Sequence, residues 1–170
     1  LLALHVTYVG ECGYELYVPS DQAVSVWETL EGAGADLGLR PVGLSAMNSL
    51  RLEKGYRDFA VDIENTDTPV TAGLAFAVAW DKPTEFRGKS ALTAERADKT
   101  SRIVCILVDD PEPLLWGAEP VHRDGVWIGY VLAGAYGHTL GGSVGLATIE
   151  WAPGVTADWL AEGGFTVSIA

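Results

Sequence analysis

The chain has 170 residues, with 11 basic and 23 acidic side chains and a formal net charge of −12. That length can bury a sizeable core and fits one large domain or two small ones. The acidic balance disfavours nucleic acid and anionic membranes as partners, because both would be repelled at long range.

The first predicted element is a β-hairpin in YVGECGYELYVP, Tyr8 to Pro19. If Glu11-Cys12 forms a two-residue loop flanked by Gly10 and Gly13, Val9 pairs with Tyr14, Tyr8 with Glu15, Thr7 with Leu16 and Val6 with Tyr17. Successive pairs alternate between faces, so Tyr8, Glu15, Val6 and Tyr17 share one face and Glu11 becomes a solvated turn residue. A different loop length would shift the register. On these residues alone, Glu15 is either a plain exposed strand glutamate or a carboxylate presented beside two phenols.

A helix follows, with Ser20 as its N-cap and with Ala23, Val24, Trp27 and Leu30 at helical spacing until Gly32 and Gly34 stop it. Pro41 opens a second helix, striped by Val42, Ala46 and Leu50 and ended by Gly55 behind Lys54. Its last turn, SLRLEKGYR, places Arg51, Glu53, Lys54 and Arg57 at a helix C-terminus, where cations are favoured and can meet an anion or a neighbouring carboxylate. The acidic, turn-rich stretch from Asp58 to Pro69 reads as a long connection, and AGLAFAVAW alternates as a strand would. A short helix is expected between Gly88 and Asp98, and ERADKTSR reads as a linker.

From Arg102 onward short strands alternate with Pro- and Gly-rich turns, and Asp124-Gly125 is a two-residue hairpin turn. The expected fold class is therefore α+β: residues 1–95 form an α+β region and residues 96–170 a small antiparallel β-barrel.

Common chemistries are not indicated. GxSxG, Walker-type and GxGxxG motifs are lacking, and GAYGHTLGG lies among strands, where a barrel loop is expected rather than a phosphate cradle. Cys12 and Cys105 stand apart with no CxxC pair, and His5, His122 and His138 have no metal-ligand spacing. Asp109, Asp110 and Glu112 read as a solvated loop, so no metal is expected. No stretch is long enough for a membrane span, and a reducing cytosol is the expected compartment. The chain opens at Leu1 directly in a strand pattern, and is expected to be a piece of a longer protein.

Taken in order, YVGECGYELYVP, SLRLEKGYR, DTPVTAGLAFAVAWDKPTEFRGKSAL and GAEPVHRDGVWIGYVLAGAYGHTLGGSVGLA resemble the C-terminal half of the folate-binding aminomethyltransferase family, that of the glycine-cleavage T-protein. The version fused behind the flavin domain of dimethylglycine and sarcosine dehydrogenases is the nearest in pattern. The resemblance implies that Tyr8 and Glu15 line a tetrahydrofolate pocket, with Glu15 accepting hydrogen bonds from the pterin amino group and ring N–H, and Tyr17 beside them. It also implies that any FAD sits in a separate upstream domain, and that the catalytic aspartate lies in an N-terminal half that this chain does not include. No catalytic residue is therefore expected here, and the isolated chain is expected to be inactive.

One departure stands out. The resemblance implies an arginine that grips the folate glutamate tail at the position of Met47, so here the tail is expected to be held otherwise or loosely, unless another basic group, Arg51 or Arg57, replaces it. The implied reaction is transfer of a one-carbon unit to tetrahydrofolate, giving 5,10-methylenetetrahydrofolate. The glycine-cleavage T-protein itself, a tetrahydrofolate-dependent demethylase relative and a non-catalytic folate-binding module are the alternatives.

Overall fold

The structure is a computed structural model that describes residues 1–169. It begins with a two-stranded antiparallel sheet, β1 (Leu2–Leu4) and β2 (Glu15–Tyr17). Leu2 pairs with Tyr17, Ala3 with Leu16 and Leu4 with Glu15. This corrects the expected register: residues 5–14 form one long loop, Tyr8 lies in that loop, and Glu15 stands opposite Leu4 instead. The loop closes on side chains. Gly10 N donates to Thr7 Oγ1 at 2.9 Å, and the His5 and Tyr14 rings stack at 4.9 Å. A Glu-Cys pair lacks the left-handed preference that a tight two-residue turn demands, so the chain turns through these local contacts.

Helix α1 (Ala23–Gly34) starts after a single 3₁₀ turn at Ser20–Gln22, so Ser20 opens that turn and makes no side-chain cap. The helix runs through Gly32 and ends at Gly34, one position where a Cβ would collide with Leu39. Helix α2 (Leu44–Glu53) starts three residues beyond Pro41, after Gly43. Its C-terminus is a Schellman motif: Tyr56 N donates to Arg51 O and Gly55 N to Leu52 O, each at 2.9 Å. Gly55 has φ +65°, and a Cβ there would come within 2.5 Å of Cys105 Sγ, so this residue must be glycine on both counts.

The stretch from Leu74 to Trp80 is not a strand. It forms a 3₁₀ turn at Ala75–Ala77 with Phe76 84% exposed. An alternating pattern makes a strand only where a partner supplies a ladder. Here the backbone bonds locally instead, Ala77 N to Leu74 O at 2.9 Å and Trp80 Nε1 to Ala75 O at 2.7 Å. Helix α3 (Lys89–Asp98) lies where expected, but no linker follows it. Lys99 caps it at φ +40° and β3 (Ser101–Leu107) begins two residues later.

The remaining strands are β4 (Pro120–Arg123), β5 (Val126–Gly137), β6 (Gly142–Glu150) and β7 (Phe165–Val167), with a short helix α4 (Ala157–Ala161) before β7. They form one antiparallel sheet in the order β3-β6-β5-β4-β7. Among the described residues β3 and β7 do not pair, so this is an open five-stranded sheet rather than the closed barrel expected. Asp124 and Gly125 both have positive φ, as a type I′ hairpin turn requires. One core cluster gathers Leu115, Val121, Ile128, Val131 and Ile149 beneath the Trp151, Trp159 and Phe165 rings.

A second cluster joins Leu52 of α2 to Ile103, Ala133, Val144 and Leu146 of the sheet, so the core crosses the position 95/96. Polar contacts reinforce that docking. Ser49 Oγ donates to Tyr136 O at 2.6 Å, and Glu53 Oε1 accepts from Thr139 N at 2.7 Å and from Leu140 N at 3.4 Å. The glycine-rich stretch 134–142 is thus the end of β5, the connection 138–141 and the start of β6, and N–H groups of that connection serve a protein carboxylate.

Burial alone would raise the Glu53 carboxyl, but the Thr139 and Leu140 bonds and the nearby His138 outweigh it and hold the group below its ordinary value. A depressed carboxyl contributes stability above its unfolded value of about 4.5 and loses that contribution as pH falls through the lower folded value. Glu53→Gln should therefore cost about 1 kcal/mol at neutral pH, and the gap to wild type should narrow below about pH 4.5. Urea unfolding followed across pH measures this, and a gap constant with pH would show that Glu53 is not bonded as an anion.

Candidate functional site

The Schellman turn at the end of α2 organises everything around Tyr8. Arg51 is 1% exposed and points inward, where its guanidinium forms a buried ion pair with Asp62. Its Nε donates to Asn48 Oδ1 at 2.8 Å and its Nη1 to Tyr56 O at 3.0 Å. Asp62 in turn accepts from Asp58 N at 2.7 Å. The stretch expected to be a long connection is therefore a folded loop built on one carboxylate. Arg57 is similarly engaged, donating to the carbonyls of Ala72, Gly55 and Ile103.

These contacts change the assignment of Arg51. It was expected to face a ligand, yet a guanidinium that is buried and paired with a carboxylate has no free edge for a solvent-borne anion. Of the two partners that a cation at this helix end could meet, it meets the neighbouring carboxylate. Neither Arg51 nor Arg57 is free to stand in for the tail-binding arginine that the resemblance implies at the position of Met47.

Tyr8 sits against this core. Its ring stacks on Tyr56 with centroids 6.4 Å apart and planes at 28°. Its hydroxyl is shielded from solvent and, alone among the buried side-chain polar atoms of the described residues, makes no hydrogen bond of ordinary geometry, though the Asp58 side chain is near enough to act on it as an acceptor. Burial raises the Tyr8 phenol above its ordinary value; the Arg51 charge opposes this, while the charges of Asp58 and Asp62 and the Asp58 side chain as an acceptor add to it. An unsatisfied buried hydroxyl costs about 1–3 kcal/mol, so it marks a position suited to a polar group from elsewhere.

Glu15 and Tyr17 lie two residues apart on β2 and so share a face. Tyr17 donates its hydroxyl to Glu15 Oε2 at 2.9 Å, and that bond raises the Tyr17 phenol. Both side chains are exposed, so the Glu15 carboxylate keeps free acceptor positions. Glu11 is exposed in the loop and lies 3.7 Å from Lys54 Nζ. Of the expected set, Glu15 and Tyr17 are joined directly, Tyr8 belongs to a separate aromatic and charged cluster, and Arg51 lies beneath that cluster. Tyr56 and Asp62 were not singled out from the sequence; the Lys54-Gly55 pair, read only as a helix stop, was the signal that could have placed Tyr56.

A cleft of about 650 Å³ opens between the loop 59–67 and the sheet, lined by Phe59, Asp62, Ile63, Ile103 and Tyr130 among others. Tyr8, Glu15, Tyr17 and Tyr56 do not line it. Glu64, Asn65, Thr66 and Asp67 give that cleft an acidic, polar rim, which does not suit the anionic glutamate tail of a folate, and the candidate site is taken at the Tyr8 loop and β2 instead.

The comparisons with known proteins identify the family. The family described as the GCVT N-terminal domain matches residues 1–82, and the glycine cleavage T-protein C-terminal barrel domain matches residues 102–170. The chain belongs to the glycine cleavage T-protein family. Within it, the chain is 45% identical over 151 residues to a 4-methylaminobutanoate oxidase (formaldehyde-forming) of Paenarthrobacter nicotinovorans, covering 87% of this chain and 18% of that protein. It is 33% identical to the mitochondrial sarcosine dehydrogenase of Homo sapiens, covering 97% of this chain and again 18% of that protein. The crystal structure of glycine cleavage system aminomethyltransferase T from Bartonella henselae superposes with a TM-score of 0.75 at 28% identity, over 87% of this chain and 41% of that one. The chain thus spans about a fifth of the length of these two oxidoreductase relatives and two fifths of the transferase.

The Tyr8 hydroxyl yields a direct expectation. Tyr8→Phe removes a buried group that has no partner and keeps the ring stack on Tyr56, so it should raise the stability of the unliganded protein by about 1 kcal/mol. Urea denaturation reads the change, and a loss of stability would mean that the hydroxyl is already satisfied.

Proposed function

We propose that this chain is the tetrahydrofolate-binding part of a one-carbon transferase in which an amine-derived one-carbon unit is passed to tetrahydrofolate to give 5,10-methylenetetrahydrofolate. Two observations support the reading in a chain of this family: a Tyr8 hydroxyl without a well-formed hydrogen bond in the loop 5–14, and an exposed Glu15 carboxylate with free acceptor positions on β2. A pterin edge offers an amino group and a ring N–H side by side, and a carboxylate accepts both as it would a guanidinium fork. Tyr17 fixes one Glu15 oxygen from the side. The orphaned Tyr8 hydroxyl has capacity to donate one bond and accept others, and its ring supplies an aromatic wall with Tyr56. The residues present therefore fit a pterin.

Bound tetrahydrofolate supplies the nitrogens that take up the one-carbon unit. Glu15 and Tyr8 orient the ring so that its reacting nitrogen faces the donor, and their contribution is positioning. Proton transfer at the donor belongs to an aspartate outside this chain, and any flavin to a separate upstream domain. The donor is read as an N-methylated amino acid, because the two oxidoreductase relatives are named for acting on such amines. A second reading, a transferase of the glycine-cleavage type without a flavin domain, is favoured by the structural neighbour. The reading frame upstream of Leu1 separates the two.

The binding claim is tested in the intact protein by titration calorimetry with tetrahydrofolate. Glu15→Gln replaces two acceptors by one acceptor and one donor, which should weaken binding by about 2 kcal/mol or more. It should leave stability nearly unchanged, because Glu15 is an exposed strand residue. Glu11→Gln is the control and should do almost nothing, since Glu11 is a solvated loop residue whose only ion pair is a surface one. Equal effects of the two substitutions would remove Glu15 from the site.

A further inference from the structure

Two walls bound the Tyr8 hydroxyl, and each is held by one member of the buried Arg51–Asp62 pair. The first is Tyr56, whose ring stacks on Tyr8 and whose carbonyl accepts from Arg51 Nη1 at 3.0 Å. The second is Asp58, whose charge acts on the Tyr8 phenol and whose backbone N–H is bound by Asp62 Oδ2 at 2.7 Å. Asn48, one turn earlier on α2, fixes the guanidinium by its remaining edge at 2.8 Å. Stability alone gives little reason for this arrangement. A buried ion pair of this kind is often no more stabilising than apolar residues of the same volume, because both charges must be stripped of water.

We infer that Arg51 and Asp62 are positioning residues for Tyr8, fixing the two walls, Tyr56 and Asp58, between which its ring and hydroxyl are held. The inference rests on the reading of Tyr8 as a tetrahydrofolate contact. It assigns the pair a role other than contact with the ligand, since their hydrogen-bonding edges are taken up by each other, Asn48, Tyr56 and Asp58. The charged groups facing the Tyr8 hydroxyl are Arg51, which lowers its proton affinity, and Asp58 and Asp62, which raise it. The geometry therefore makes the phenol a reporter on the pair even without ligand.

The test is a double-mutant cycle in the full-length protein, with tetrahydrofolate affinity measured for wild type, Tyr8→Phe, Asp62→Asn and the combination. Each single substitution should weaken binding about tenfold, and the combination should also be about tenfold weaker, because the second change has nothing left to act through. A merely structural pair would give independent losses that multiply to about a hundredfold, and that result overturns the proposal. Ultraviolet titration of the unliganded protein, with the Tyr8→Phe spectrum subtracted, supplies a readout that does not need folate. Asp62→Asn removes a negative charge while Arg51 stays, so the Tyr8 phenol should ionise at lower pH in protein whose near-ultraviolet circular dichroism is unchanged; an unmoved phenol overturns the proposal.

Absence of tetrahydrofolate binding in wild type would defeat the folate reading, and the phenol titration of Asn48→Ala, which removes no charge, would then decide the positioning role: a displaced phenol supports it and an unmoved one overturns it. Should Asp62→Asn fail to fold, Asn48→Ala frees only the Arg51 Nε bond and carries both measurements: non-additivity with Tyr8→Phe, or a displaced phenol titration, supports the proposal. Multiplying losses, or an unmoved phenol, overturns it.

Discussion

The buried contact between Arg51 and Asp62 is the interaction on which this part of the molecule depends. Taking both charges out of water costs several kcal/mol per ion, and only complete hydrogen bonding offsets that. The structure meets the requirement by drawing in Asn48 from α2, the Tyr56 carbonyl from the Schellman turn and the Asp58 N–H from the following loop. Each of these groups is thereby fixed, so one ion pair determines the path of residues 56–62. That path sets where the Tyr56 ring stands, and the ring sets where Tyr8 rests. The chain of causes runs from a helix-ending glycine to an aromatic wall.

A second constraint comes from what the first 45 residues leave uncovered. Leu2, Leu16, Tyr17, Trp27, Leu37 and Leu44 are all exposed, and the two-stranded sheet shows apolar side chains on both faces. An isolated two-stranded hairpin is at best marginally stable in water, so such a sheet is suited to packing against further structure. The solved T-protein relative is more than twice as long as the part of it that this chain matches. By contrast the C-terminal sheet buries its own core, with Leu146 and Val155 sealed from solvent. The candidate site lies on the uncovered part.

The sequence is legible wherever a local rule decides the structure. Asp124-Gly125 demands two left-handed residues and forms the turn it predicts. Lys54-Gly55 ends α2 as a capping glycine does. The pairing of Glu15 with Tyr17 follows from period-two alternation along one strand, which survives any error in register. Legibility fails where a distant partner decides. Tyr8 was placed opposite Glu15 because a short loop is the default, and the real loop is long because its own side chains hold it. Leu74 to Trp80 alternates as a strand but finds no ladder. Arg51 was visible as a cation at a helix end, but its partner Asp62 lies beyond a turn whose shape no pattern in the intervening residues announces.

On the proposed reading, the placement of Tyr8 divides stability and recognition between the two halves of the candidate site. Glu15 and Tyr17 satisfy each other at the surface, where water can stand in for any missing partner, so a ligand gains there only the difference between two well-solvated arrangements. Tyr8 is different because its hydroxyl is shut away from water and left without a bond. A ligand group that reaches it relieves a cost already present in the folded chain, so the same contact contributes more than it would at the surface. Holding a phenol in that condition requires rigid walls, for a mobile loop would let the hydroxyl turn back to solvent. The buried ion pair supplies rigidity of that kind, through hydrogen bonds rather than through greater apolar packing.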